Sequence, residues 1–108
     1  MLFNLKNFKF MTSIVITSAK RTAIGKFMGS LSGLSAPELG SFVINSILEE
    51  TRVNKEVIDE IIMGQVLTGG SGQNPARQAA MLSELPHNTS ALTVNQVCGS
   101  GLRSISIA

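Results

Sequence analysis

The sequence has no tryptophan and no tyrosine, one cysteine, one histidine, and only 15% charged residues. Each scarcity closes off a class of function. Platforms for stacking nucleic-acid bases would have to come from five phenylalanines, three of which are Phe3, Phe8 and Phe10. The nine basic residues are scattered, Lys20-Arg21 is their only adjacent pair, and the net charge is +2. That is no electrostatic footprint for nucleic acid, and no such partner is expected. A single cysteine excludes an internal disulfide, fits a reducing, cytoplasmic compartment and leaves a thiol free for chemistry. One Cys and one His at this spacing cannot assemble a metal site. No apolar run reaches the ~18 residues of a membrane span, so no membrane partner is expected either.

What is present is apolar surface. The hydrophobic fraction is 44% and the mean hydropathy +0.27. The 108 residues suffice for one small domain. Such a domain buries roughly 60–70% of the surface its unfolded chain exposes. The apolar excess therefore predicts packing against more protein, either further chain or a partner subunit. Met1–Phe10 carries Lys6 and Lys9 but no acid, and lacks the apolar stretch and cleavage site of a secretory signal. Residues 1–12 are read as a disordered extension or one that begins upstream of the natural start at Met11, and residues 13–108 as a partial domain.

Along the chain, Ser13–Ala19 is a β-branched run suited to a buried strand. A loop with Gly25, Gly29 and Gly33 follows. Ser35, with Pro37 and Glu38 behind it, signals a helix start with a capping box. That helix is expected to run to about Glu50, burying Leu39, Phe42, Val43, Ile47 and Leu48. Asn54 caps a short turn through Asp59. Ile61–Leu67 reads as a second buried strand, and Thr68–Gly72 as a flexible loop. Asn74-Pro75 opens a helix whose small face is Ala76, Ala79, Ala80 and Leu82, ended by Leu85-Pro86. Ala91–Val94 is a third strand, and a helix begins at Gly99. The alternation predicts an α/β fold, βαβαβα, with a mainly parallel sheet, helices on both faces and one sheet edge open.

Cys98 sits at the carboxyl end of the third strand, where a helix begins and where functional groups gather in open α/β sheets. A thiol there meets a helix dipole and free backbone amides, which suit a nucleophile. Gly99 and Gly101 clear room for an incoming group and permit a sharp strand-to-helix turn. The competing reading is a lone cysteine buried as a small hydrophobe. Gly99–Ser104 also nearly matches a dinucleotide-binding fingerprint, which keeps a Rossmann-like nucleotide binder open as a further reading. His87, in a turn-like run, reads as a solvated loop residue rather than a base. The polar cluster Gly72–Gln78 reads equally well as helix capping with a surface face, or as a network that braces the site or makes a subunit contact.

Three runs in register carry a resemblance. They are Arg21–Phe27 after the first strand; Gly64–Leu67 leading to Gly72–Gln78; and Asn95-Gln96-Val97-Cys98-Gly99-Ser100-Gly101-Leu102. Together, over Ile14–Ala108, they resemble the amino-terminal region of the thiolase family, most of all its acetyl-CoA acetyltransferase members. The resemblance implies an incomplete amino-terminal half of a thiolase-like fold and an acyltransferase acting through an acyl-cysteine. It implies condensation of two acetyl-CoA to acetoacetyl-CoA, and the reverse thiolysis. Coenzyme A and acetyl-CoA are then substrates, with no tightly bound cofactor, and the whole enzyme is a homo-oligomer, a tetramer. Cys98 matches the acylated cysteine, and its backbone N–H matches a donor to the thioester oxygen. The family's activating histidine, in a Gly-His-Pro run, and its second catalytic cysteine match nothing in these 108 residues, and His87 aligns with neither. The chain is therefore expected to be a little over a quarter of an enzyme, idle alone. A non-catalytic truncated remnant or oligomerisation module is the alternative.

Overall fold

The computed structural model describes residues 13–108. The expectation for residues 1–12 lies outside them.

Helix α1 spans Ala36–Thr51. It starts where the sequence signals: the Ser35 hydroxyl accepts the Glu38 N–H, and the Glu38 carboxylate accepts the Ser35 N–H at 2.7 Å. This reciprocal pair satisfies two amides the helix leaves free. The carboxyl of Glu38 is held below the ordinary glutamate value by its bonds to the Ser35 hydroxyl and backbone. Arg52 ends the helix in the left-handed region, φ 55°. Asn54 caps a single 3-10 turn, Lys55–Val57.

Strand β1 (Glu60–Gly64) pairs in parallel with β2 (Ser90–Val94), Ile62 opposite Leu92. Helix α2 (Pro75–Leu82) makes the crossover between them, capped by Asn74, and α3 (Ser100–Ile107) follows β2. β1 is shorter than the expected Ile61–Leu67 run. Pairing stops once the Gln65 N–H has reached the Val94 carbonyl, because β2 itself ends there.

Successive strand residues face opposite sides of a sheet, and β1 uses this to carry helices on both faces, as expected. On the Met63 side, Gly40 of α1 lies so close that an added Cβ would stand 2.5 Å from Met63 Cε and 3.2 Å from Ala79 Cβ. On the Gly64 side lies α3, whose first turn leaves no room for a side chain at Gly64. The core is small: Ala76, Ala79 and Ala80 are fully buried, and Leu85 nearly so.

Three expectations are corrected. Ser13–Ala19 is not a strand. It runs without regular structure, with Ile14 94% exposed, because no described strand pairs with it, and an unpaired strand leaves its amides and carbonyls unsatisfied. The described sheet therefore has two strands, not three. The buried face of α1 is Pro37, Gly40 and Ser41, not a stripe containing Phe42, which is 52% exposed. Close helix packing selects small residues at the contact, and α1 turns that side toward α2. Leu82 likewise leaves the buried face of α2, whose alanines form it.

Candidate functional site

The carboxyl ends of both strands, the first turn of α3 and the start of α2 lie at one edge of the sheet. The sequence builds that edge through local polar bonds. At α2, Asn74 accepts the Arg77 N–H and donates to the Ala91 carbonyl at 3.0 Å. The Thr93 hydroxyl accepts the Ala76 N–H at 3.0 Å and donates to the Asn74 side-chain oxygen, Oδ1, at 2.7 Å. Arg77 donates to the Thr89 and His87 carbonyls at 2.8 and 2.9 Å. Gln78 donates to the Ser71 and Gln73 carbonyls. The polar cluster Gly72–Gln78 is thus a brace. It fastens α2 to β2, to the loop before α2 and to the turn that feeds β2, and these bonds spend most of its donors.

Cys98 lies between the end of β2 and the start of α3, and its thiol is free and exposed. The reading of a buried small hydrophobe is therefore overturned. The turn that presents it is tight. The Gly99 N–H donates to the Gln96 carbonyl at 3.0 Å, and the Ser100 N–H to the Val97 carbonyl at 3.1 Å. Val97, immediately before the cysteine, takes φ 49°, a left-handed conformation that β-branched residues rarely adopt. α3 begins one residue after Gly99, and no side chain caps its first turn.

Gly64 sets how close α3 comes to the sheet. A Cβ on it would stand 2.6 Å from the Ser100 carbonyl oxygen and 2.7 Å from the Gly101 nitrogen. The start of α3 thus rests on the backbone of β1. Sequence reasoning gave Gly64, Asn95 and Ser100 no individual role, although all three lie in the quoted runs. A glycine at a strand end beside a buried serine was the available signal.

His87 does not join Cys98. It is exposed in the turn before β2, whereas Cys98 follows β2. The five residues of β2 between them span roughly 16 Å at strand rise. A groove of about 650 Å³ lies elsewhere, between α1, Arg21, Thr22 and β1. A second, about 410 Å³, is lined by Gln96, Gly99, Leu102, Arg103 and Ser106 beside the α3 start. Among the described residues no group of His, Cys, Asp and Glu could hold a metal ion, and no helix is long and apolar enough to cross a membrane.

Comparison with known proteins agrees with this geometry. Residues 14–108 match the family model described as thiolase, N-terminal domain. An acetyl-CoA acetyltransferase of Cupriavidus necator is 58% identical over 98 residues, which are 91% of this chain and 25% of that relative. One from Pseudomonas aeruginosa is 56% identical over 88% of this chain and 24% of its own length. A crystal structure of a thiolase from Ascaris suum in complex with coenzyme A superposes with a TM-score of 0.78 at 38% identity, over 81% of this chain and 23% of that one. The chain spans about a quarter of the length of the curated relatives it matches. With the family model covering nearly all the described residues, the chain belongs to the thiolase family, and its parallel strands and flanking helices are part of that family's N-terminal domain.

Proposed function

We propose that Cys98 is the acyl-accepting nucleophile of an acetyl-CoA C-acetyltransferase. The observation that carries this is its placement: an exposed thiol at the carboxyl end of β2, ahead of an uncapped helix start. In the step assigned to it, the sulfur attacks the acetyl carbonyl carbon of acetyl-CoA. The bond from that carbon to the coenzyme A sulfur breaks. Coenzyme A leaves as its thiol, and the acetyl group stays on Cys98. The backbone N–H of Cys98 helps to stabilise the oxyanion formed on the way. A second acetyl-CoA then supplies the carbanion that takes the acetyl group, giving acetoacetyl-CoA; thiolysis is the reverse.

The 108 residues contain neither the Gly-His-Pro run nor the second cysteine that the family uses. Losing a general base alone typically lowers the rate ~10²–10⁴-fold. Alone, the chain is therefore expected to show no coenzyme-A-dependent cleavage of acetoacetyl-CoA. Grafted in place of the matching stretch of the Cupriavidus necator relative, residues 14–108 are expected to support turnover. Clear thiolysis by the chain alone, or a folded graft that is inactive, would contradict this reading. Coenzyme A and acetyl-CoA are substrates in it, the working assembly is a homo-oligomer, a tetramer, and the compartment is cytoplasmic. Residues 13–108 form one structural part of that enzyme.

A further inference from the structure

Val97 poses a question that its own side chain does not answer. Its left-handed backbone is unfavourable for a β-branched residue. Its side chain is 64% exposed, so burial does not hold it there. What holds it is polar and comes from both sides. The Asn95 side-chain oxygen, Oδ1, accepts the Val97 N–H at 2.9 Å, while its side-chain Nδ2 donates to the Val66 carbonyl at 3.0 Å. The Ser100 hydroxyl, in a residue only 4% exposed, donates to the Val97 carbonyl at 2.6 Å and accepts the Gln96 N–H at 2.8 Å. One hydroxyl therefore joins the two peptides that flank the strained turn. Gly64 lets that serine sit down against β1, so the bracket rests on the sheet.

We propose that Ser100 is a positioning residue: its buried hydroxyl holds Val97 in the left-handed conformation and thereby keeps Cys98 ahead of the first amides of α3. The proposal rests on the reading of Cys98 as the nucleophile. Ser100 touches neither substrate nor the reacting sulfur in this role. It acts through the backbone, and strain kept in place by surrounding bonds is common where a reactive group must be presented in one orientation.

Cys98 is the only thiol, so its alkylation by iodoacetamide can be followed on the intact chain. Native Cys98 is expected to react faster than the same thiol in the urea-unfolded chain. Ser100→Ala removes one side-chain brace and should slow alkylation by about fivefold, the factor that corresponds to one ordinary net hydrogen bond. Adding Val97→Gly to Ser100→Ala should restore the rate, because glycine takes positive φ without a brace. Exchange of the Gln96 amide hydrogen should stay accelerated in both variants, since the hydroxyl it donates to is gone in each. A role in general stability alone predicts no rescue of the rate by glycine. The intraresidue nuclear Overhauser effect between the Val97 amide and α hydrogens, which lie closest at positive φ, should report the left-handed region in the unaltered chain whether or not a variant folds. An extended Val97, or a fast native rate that Ser100→Ala leaves unchanged, would overturn the bracket. A native rate no faster than in urea would overturn the bracket as well, whereas an acetyl group found on a residue other than Cys98 in the graft would overturn the nucleophile reading on which it stands.

Discussion

At the scale of the residue, two glycines of similar closeness should behave differently when replaced. At Gly40 the nearest atom to an added Cβ is the flexible end of Met63, and alanine favours a helix interior by about 1 kcal/mol over glycine. At Gly64 the obstacle is the backbone of Ser100 and Gly101, which cannot step aside without lifting α3. Gly64→Ala is therefore expected to cost about 1–3 kcal/mol of stability, and Gly40→Ala distinctly less, read from denaturant midpoints. Equal costs would mean that α3 does not rest on β1. This scale was only partly legible beforehand. Cys98 stood out because a lone thiol just ahead of two glycines at a strand end is a chemical signal. Asn95 and Ser100 did not, because their importance lies in bonds to a backbone whose left-handed turn cannot be read from a valine.

At the scale of the element, helix starts were legible and the first strand was not. Ser35 with Glu38, and Asn74 with Pro75, encode their caps within four residues, and the structure places both helices where those signals stand. A strand depends on a neighbour. Ser13–Ala19 has the β-branched composition of one, yet among the described residues it finds no ladder. It is tied instead to the end of α1, where the Ser18 hydroxyl and the Lys20 ammonium both meet the Glu50 carboxylate, Lys20 at 3.2 Å. These contacts, Ser18 first, hold the Glu50 carboxyl below its ordinary value. A carboxyl lowered in the folded state stabilises above its unfolded pKa, about 4.3 for glutamate, and loses that contribution as pH falls through the lowered folded value. Acidification below about pH 4 should therefore release Ser18 and Lys20, and weaken the Ser35–Glu38 cap, which carries the same sign. Amide chemical shifts of Ser18 and Lys20 should follow this titration, and Glu50→Gln should flatten it. Ser35→Ala should cost about 1 kcal/mol at neutral pH, measured by thermal denaturation.

At the scale of the whole molecule, the apolar excess of the sequence is visible as uncovered surface. Ile14, Phe27, Leu102 and Ile105 are all exposed, the last two on α3, the helix that begins beside Cys98. Leu102 and Ile105, three residues apart, share one side of α3, and exposed apolar faces promote association. The chain is therefore expected to sediment with a concentration-dependent mass, while the amides of Ile61–Gly64, paired with β2, exchange more slowly than those of Ile14–Ile16. Uniform exchange across both segments would contradict the sheet. The α/β class was legible at this scale because the alternation of elements survives even where one strand does not form. The extent of the sheet was not, because it depends on which strands are present to pair.

The most direct measurement is the identity of the residue that carries the acetyl group. The graft of residues 14–108 into the Cupriavidus necator acetyl-CoA acetyltransferase can be incubated with acetyl-CoA, quenched in acid and mapped by peptide mass spectrometry. The account predicts one acetyl group on the peptide containing Cys98, and its disappearance in Cys98→Ala together with a fall in turnover of about 10⁴-fold or more. An acetyl group found on another residue, or turnover that survives Cys98→Ala, would contradict it.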